Sequence, residues 1–389
     1  MQATPATAPG LPPAQLFFSS PEQRVALARE RFFSRGERPT GLVSEAVIQS
    51  WARLSAARQD PRDAVAFEPV SRSRMHAALE RSRGLLQAAA PELSRLEQAL
   101  AGTGCRVLLT DGEGVLVHAT PEGPGASGPV LKAAARCGVN LAEHAVGTNA
   151  PAVVVKTGQP VTVLGAEHYF ERIRSLRCAA APIRDAHGRL AGVLDLTVEA
   201  RPFAFDAAAL VGVYATMIEN RLLEAGAGGQ LVLAFQVCGS LLGSPLQALA
   251  GVAEDGTLAW CNPTANKLLG LEGGARQTGA EEVLGLAAPA LRAWARDGQP
   301  HCVQLPNGLS VWLQARGGVR PPGTATTVAP SPSPATAAPA PAETPARTLS
   351  ALTREAIEQA IADSGGNLSE AARRLGCSRG LLYRRRAAA

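Results

Sequence analysis

The feature that most constrains this chain is the stretch from Gly317 to Arg347, where Pro, Ala, Thr and Ser dominate and aromatic residues are absent. Such a segment cannot bury enough apolar surface to offset its chain entropy, and its prolines favour extended, solvated backbone. It reads as a disordered Pro/Ala-rich linker over 317–347, so the 389 residues must fold as separate pieces on either side of it. Their length allows two or three domains of usual size.

The piece after the linker, 348–389, holds seven Arg against three Glu and one Asp, +3 of the chain's net +5. A local basic excess points to a polyanionic partner. Arginine by itself is a weak signal here, because nearly every basic residue is Arg and Lys occurs only at 132, 156 and 267. The pattern around the arginines is more informative. Leu352, Ala356, Ala360 and Ile361 form an apolar stripe that stops at Ser364-Gly365-Gly366, a helix and its end. Asn367 then stands as an N-cap with Glu370 three residues on, followed by Leu368, Ala371, Ala372 and Leu375 at helical spacing. Gly376 can take the positive φ that ends this second helix, and Ser378 can cap a third running to Arg386. Two short helices joined by a glycine turn, the second with exposed Arg and Tyr, meet the needs of a helix-turn-helix on double-stranded DNA. The other reading is a solvated basic helix end.

The run Gly365-Gly366-Asn367-Leu368-Ser369-Glu370-Ala371-Ala372-Arg373-Arg374-Leu375-Gly376, with Ser378-Arg379 and Leu382-Tyr383-Arg384-Arg385, resembles the Fis-type helix-turn-helix. That resemblance implies a dimeric DNA-binding unit with contacts at Asn367, Ser369, Arg373, Arg374, Ser378, Arg379, Tyr383, Arg384 and Arg385.

Before the linker, Val25, Leu27, Ala28 and Phe32, then Val43, Val47, Ile48 and Trp51, recur at helical spacing and predict an N-terminal helical segment over 1–57. A helix over Arg72–Gln98 precedes a hairpin, Arg106–Leu109 and Val115–His118 about Asp111-Gly112. A second hairpin is Ala180–Ile183 and Leu190–Val198 about Asp185–Gly188, with a closing helix over Ala208–Leu223. Hairpins separated by helices predict an α+β domain on an antiparallel sheet, 58–225. A smaller block, 231–316, repeats the recipe: strands about Asp255-Gly256, a short helix over Asn262–Leu269, and strands about Pro306-Asn307-Gly308.

Glu143, Gly147-Thr148-Asn149-Ala150, Gly158, Gly165-Ala166-Glu167-His168-Tyr169, Cys178 to Ile183, Asp185, Gly188 and Gly192 to Thr197 form an ordered series that is similar to the GAF-type sensor region of acetoin-catabolism-regulator-like activators. Ile48, Ser50, Trp51 and Arg53 fit the pattern preceding that region. Asp255-Gly256, Asn262, Ala265 and Leu268-Leu269-Gly270 give the 231–316 block a resemblance to a PAS-like domain. The implied fold is α+β: a GAF-like sensor, a smaller PAS-like domain, the linker, and an all-α helix-turn-helix tail. The implied ligand site takes a small-molecule effector at Thr148, Asn149, His168, Tyr169 and Cys178. Those residues also have plainer readings: Thr148 and Asn149 as helix caps, His168 as a satisfied core histidine, Cys178 as a buried apolar group.

Several classes are disfavoured. The seven cysteines sit singly, with no Cys-x-x-Cys pair or zinc spacing, so reduced thiols and no metal are expected. No cluster suits nucleophilic or acid–base catalysis, so neither enzyme activity nor a cofactor is expected. No long uncharged apolar run and no signal-like N-terminus occur, which points to the cytoplasm and away from membranes. Regulators of the resembled sigma-54 enhancer-binding type carry an ATPase module between sensor and tail, marked by Gly-x-x-x-x-Gly-Lys-Ser/Thr, and no such run occurs here. The expectation is a homodimeric, effector-controlled, sequence-specific DNA-binding regulator acting without ATP hydrolysis. The alternative is a modulator that pairs with a full-length enhancer-binding activator.

Overall fold

The computed structural model describes residues 20–121, 128–271 and 278–317. All of these lie in the first of two compact units, Met1–Pro322. The expected linker from residue 318 on and the nine proposed DNA contacts, Asn367 to Arg385, lie outside the described residues, while Gly317, expected as its first residue, ends the last strand.

The chain opens with α1 (Pro21–Arg29), extended by a π-helical turn to Ser34, and α2 (Glu45–Ala56). Ser20 and Ser44 cap them by accepting from Gln23 N and Val47 N. The predicted helix over Arg72–Gln98 is two helices, α3 (Arg72–Arg81) and α4 (Arg83–Ala99), because Ser82 leaves helical geometry at ψ 5°. Then come β1 (Arg106–Asp111), β2 (Leu116–Ala119), α5 (Pro129–Ala134), α6 (Glu143–Val146), α7 (Ala150–Thr157), β3 (Val161–Leu164), β4 (Leu176–Arg184), β5 (Leu190–Glu199) and α8 (Ala207–Gly226). The five strands form one antiparallel sheet in the order β2-β1-β5-β4-β3.

This sheet is buried on both faces, which is why its central strands read as nearly unbroken apolar runs. Alternation sorts them. Leu194, Leu196 and Val198 of β5 join Val107 and Leu109 of β1 against α4 and α8. Val193 and Cys178 face the other way, into a core with Val146, Val153, Leu131 and the N-terminal helices, where Val47, Ile48 and Trp51 are buried. The helical segment and the sheet thus share one core. Gly192 lets β5 pass close to β1, since a Cβ there would lie 2.4 Å from the Thr110 carbonyl oxygen.

A second antiparallel sheet follows, from β6 (Leu231–Gln236), β7 (Ala248–Val252), β8 (Leu258–Cys261), β9 (His301–Gln304) and β10 (Ser310–Gly317), in the order β8-β7-β6-β10-β9. Between β8 and β9 run α9 (Pro263–Leu269), α10 (Ala280–Leu284) and α11 (Ala288–Asp297). They cover one face, packing Leu269, Leu284 and Leu291 on Leu233, Phe235, Ala250, Val311 and Leu313. The other face carries Ala234, Leu249 and Trp260 against Leu223 and Ala227 at the end of α8. Asn262 ties the two regions together: Oδ1 accepts from Leu249 N and Ala265 N, while Nδ2 donates to Gln247 O and to Asn220 Oδ1 on α8. Mixed helix and antiparallel sheet match the α+β class expected for this portion.

Candidate effector site

Among the five residues singled out for a ligand, the structure separates two from three. Asn149 and Cys178 line a small cavity on the α7-facing side of the first sheet, together with Leu108, Leu131, Ala134, Leu141, Val146, Pro151, Ile173, Leu176, Asp195, Thr197 and Phe67. Thr148, His168 and Tyr169 do not line it.

Those three belong to a latch between the N-terminal helices and the sheet. Thr148 and Ser50 of α2 share a hydrogen bond of 2.7 Å between hydroxyls. The Arg29 guanidinium donates to the carbonyls of Ala166, His168 and Tyr169 at 2.9–3.1 Å and lies over the Phe33 and Trp51 rings. Burial lowers the Arg29 value to about 10, which leaves the guanidinium charged at neutral pH. Trp51 Nε1 donates to Glu167 O, and the Tyr169 hydroxyl to Gln59 O at 2.6 Å. Full burial pushes His168 down to about 4, so the ring is neutral. With Nδ1–H donating to Gly165 O, its Nε2 is left as acceptor for the Cys178 thiol, 3.5 Å away. Burial raises the Cys178 thiol well above its ordinary value, so it is a protonated, unreactive group.

Asn149 does two jobs. Its Oδ1 caps α7 by accepting from Ala152 N, and its Nδ2 donates to the carbonyls of Leu141 and Gly147. Both its N–H donors and one lone pair of its oxygen are thus engaged in building the cavity wall. Nearby, Arg53 of α2 grips the buried Glu143 of α6 with two hydrogen bonds of 2.7 and 2.8 Å.

Sequence reasoning missed Asp195. It sits mid-strand on β5, is 1% exposed, and faces the cavity side. Thr197 Oγ1 donates to its Oδ2 at 2.6 Å, while Oδ1 has no partner. Burial raises this carboxyl to about 7 against the pull of Thr197. The available signal was a single acid inside Val193-Leu194-Asp195-Leu196-Thr197, which only an unusual interior would accommodate. The cavity itself is about 20 Å³, room for one water molecule. Every lining residue is buried except Phe67, which is half-buried on the coil between α2 and α3.

A wider depression of about 650 Å³ lies at the surface near Arg29, Arg58, Asp60, Arg62, Glu171 and Arg174. Its charges answer one another: Arg62 pairs with Asp60, and Arg174 with Glu171. Among the described residues no group of His, Cys, Asp and Glu is arranged to hold a metal ion, and no helix is long and apolar enough to cross a membrane.

Comparison with known proteins places these regions. Residues 21–219 match the family model for the N-terminal domain of MimR, and residues 348–388 match that of the Fis family of bacterial regulatory proteins. The propane 2-monooxygenase operon transcriptional activator MimR of Mycolicibacterium smegmatis is 32% identical over 199 residues, 50% of this chain and 32% of that protein. The acetoin catabolism regulatory protein of Cupriavidus necator is 32% identical over 185 residues, 46% of this chain and 28% of that one. The matched part thus spans about a third of the length of these curated relatives. A chain of the solved E. coli DhaR(N)–DhaL complex aligns over 70% of this chain and 99% of its own length, at 16% identity and a TM-score of 0.44. With half of its length inside the first family model and its tail inside the second, the chain belongs to the transcription-regulator family that carries the MimR N-terminal domain, here combined with a Fis-family helix-turn-helix.

Proposed function

We propose that this protein is a cytoplasmic, homodimeric transcription regulator that binds DNA sequence-specifically through residues 348–389 and is controlled by a small molecule held in the first sheet region. The observation that carries this reading is the presence, in one chain, of the MimR-type N-terminal region and the Fis-family tail with no phosphate-binding Gly-x-x-x-x-Gly-Lys run between them. Regulation then acts through occupancy of DNA rather than through ATP hydrolysis. In the proposed division, 1–57 is a helical segment, 58–225 a GAF-like sensor, 231–316 a PAS-like domain, 317–347 a tether, and 348–389 the DNA-binding domain. A tether of this composition keeps two tails at a raised local concentration once the N-terminal regions pair.

The DNA contacts proposed are Asn367, Ser369, Arg373, Arg374, Ser378, Arg379, Tyr383, Arg384 and Arg385. Binding of the full chain to the DNA upstream of its own gene, followed across a salt series, tests the reading. Sequence preference with a steep salt slope is expected, the slope falling by about one for each phosphate-contacting Arg replaced by Ala at 379 or 384. Weak binding without sequence preference, unchanged in Arg379→Ala and Arg384→Ala, overturns it. That outcome favours the second reading, which the same missing phosphate loop supports: a modulator that joins a full-length enhancer-binding activator.

A further inference from the structure

The surface depression of about 650 Å³ has the volume of a small-molecule site, and its wall carries more positive charge than its own acids neutralise. Each of its three acids is taken by an arginine: Glu30 by Arg35, Asp60 by Arg62 and Glu171 by Arg174. Two further arginines of the wall, Arg29 and Arg58, form no ion pair among the described residues. Arg29 is only 9% exposed and gives three of its five N–H groups to the carbonyls of Ala166, His168 and Tyr169, so neutral acceptors alone hold its charge. A buried cation without a counter-ion is unfavourable, and an anion that reaches it relieves the arrangement. Arg58 is exposed and stands at φ 57°, in the left-handed region that favours glycine. The position therefore keeps a long cationic side chain in spite of the backbone strain that goes with it.

We infer that this depression is a second ligand site, which binds the phosphate monoester of a hydroxylated carbon skeleton, a sugar phosphate, with its phosphate on Arg58 and Arg29 and its hydroxyl groups on Glu30 and Glu171. The site is separate from the cavity beside α7 and does not depend on how that cavity is used. Two uncompensated guanidinium groups call for two negative charges, and a phosphate monoester brings nearly two at neutral pH on one group with three acceptor oxygens. A monocarboxylate leaves one cation unanswered, and a neutral molecule leaves both. The acids supply the other half of the recognition. Glu30 and Glu171 each give one oxygen to their arginine, which leaves the second to accept from a ligand hydroxyl. The Phe33 ring, 4.4 Å from the Arg29 guanidinium, offers an apolar face to the carbon skeleton. Because Arg29 also holds the carbonyls of His168 and Tyr169, an anion in the depression touches the latch directly.

Three probes decide the matter: ribose 5-phosphate, inorganic phosphate and succinate, titrated calorimetrically into the full chain at about pH 7.5, where the phosphates are largely dianionic. The variant is Arg58→Gly, which removes the side chain and keeps the turn, since glycine takes φ 57° without strain. Ribose 5-phosphate is expected to bind tightest of the three, and Arg58→Gly to weaken it about tenfold, the loss expected for one charge-assisted hydrogen bond. Arg58→Lys keeps the charge without the planar fork and is expected to fall between the two. Binding of ribose 5-phosphate that Arg58→Gly leaves unchanged belongs to the basic tail and overturns the inference, as does the absence of binding. Succinate binding tightest, or inorganic phosphate binding as tightly as the sugar phosphate, overturns the ligand class, the first in favour of a dicarboxylate and the second in favour of a bare anion.

Discussion

The two sheets of this protein differ by one move: transferring the last strand of the first to the front of its chain order gives the second. In the first, β2-β1-β5-β4-β3, the central strand β5 comes last. In the second, β8-β7-β6-β10-β9, the central strand β6 comes first. Everything else corresponds. Three helices join the two edge strands in each, α5–α7 between β2 and β3, and α9–α11 between β8 and β9, and they pack on one face. Yet the interiors diverge. The buried polar residues of the second region, Gln236, Gln247 and Asn262, are all hydrogen-bonded, and its one partnerless buried side-chain oxygen among the described residues, Oδ1 of the half-buried Asn266, belongs to a neutral amide. The first encloses a cavity and a carboxylate with a free oxygen. What sets the first region apart is one acid at a core-facing strand position, beside a cavity that Ala134 also lines.

The outer faces differ too. α4 and α8 cover the first sheet from β2 to β4, whereas the end of α8 and Ala186 of the β4–β5 turn pack near Trp260 on the second, and Trp312 stays 40% exposed. Gly251 allows the Trp260 ring to lie flat on β7, because a Cβ at that position would come 2.2 Å from Nε1.

Substitutions can break this comparison, beginning with the largest effect. Trp51→Ala should destabilise by about 3–5 kcal/mol, through lost packing and an unpaired Glu167 carbonyl. Because Asn220–Asn262 and the α8 contacts join the regions, calorimetry should show one transition moving for Phe235→Ala as well; two independent transitions would mean that the sheets unfold separately.

Asp195→Asn should instead stabilise the protein at pH 8. The folded carboxyl titrates at about 7 and the unfolded one near 4, so its favourable contribution is complete below pH 4 and disappears as pH rises through 7. Above pH 7 the fold must hold a buried charge, and Asn avoids that cost, a gain on the order of 2–4 kcal/mol at pH 8 and nothing at pH 4, readable as a difference in urea midpoint between the two pH values. His168 opposes this trend in the wild type. Its folded value of about 4 lies below the unfolded one, so its contribution grows as pH rises from 4 to about 6.5, and it is common to both proteins compared.

Asn262→Ala should lose about 1–3 kcal/mol, having removed a helix cap and left Asn220 and Leu249 N without their partner. Equal stability would show that the two regions are not tied through this residue. The smallest effect belongs to Trp312→Ser on the open face, within about 0.5 kcal/mol by denaturant titration. A loss well above that would mean the face packs against something.

How much of this was legible beforehand varies with the strength of the local signal. Both regions' turns are announced in the sequence, since each combines a side-chain acceptor, Asp111, Asp185, Asp255 or Asn307, with a glycine that takes positive φ, Gly114, Gly188, Gly256 or Gly308. The pattern over Arg72–Gln98 is continuous because Ser82 and Arg83 carry no breaking signal, yet the backbone breaks at Ser82. Strands β3 and β6 went unseen, β3 being only four residues, Val161–Leu164, and β6 lacking a paired turn on its N-terminal side. Of the residues expected to hold a ligand, Asn149 and Cys178 line the cavity, whereas the backbone carbonyls of His168 and Tyr169 are held by Arg29, more than a hundred residues away in sequence. Asp195 carries its signal openly, as a lone acid in an apolar strand.

The most direct test of the claim that the first region differs from the second through an unpaired buried carboxylate is the titration of Asp195 by 13C-carboxyl NMR in selectively labelled protein, assigned with Asp195→Asn. A midpoint near 7 is the result this account predicts. A midpoint near the ordinary value of about 4 would show the carboxylate to be solvated or paired, and would contradict it.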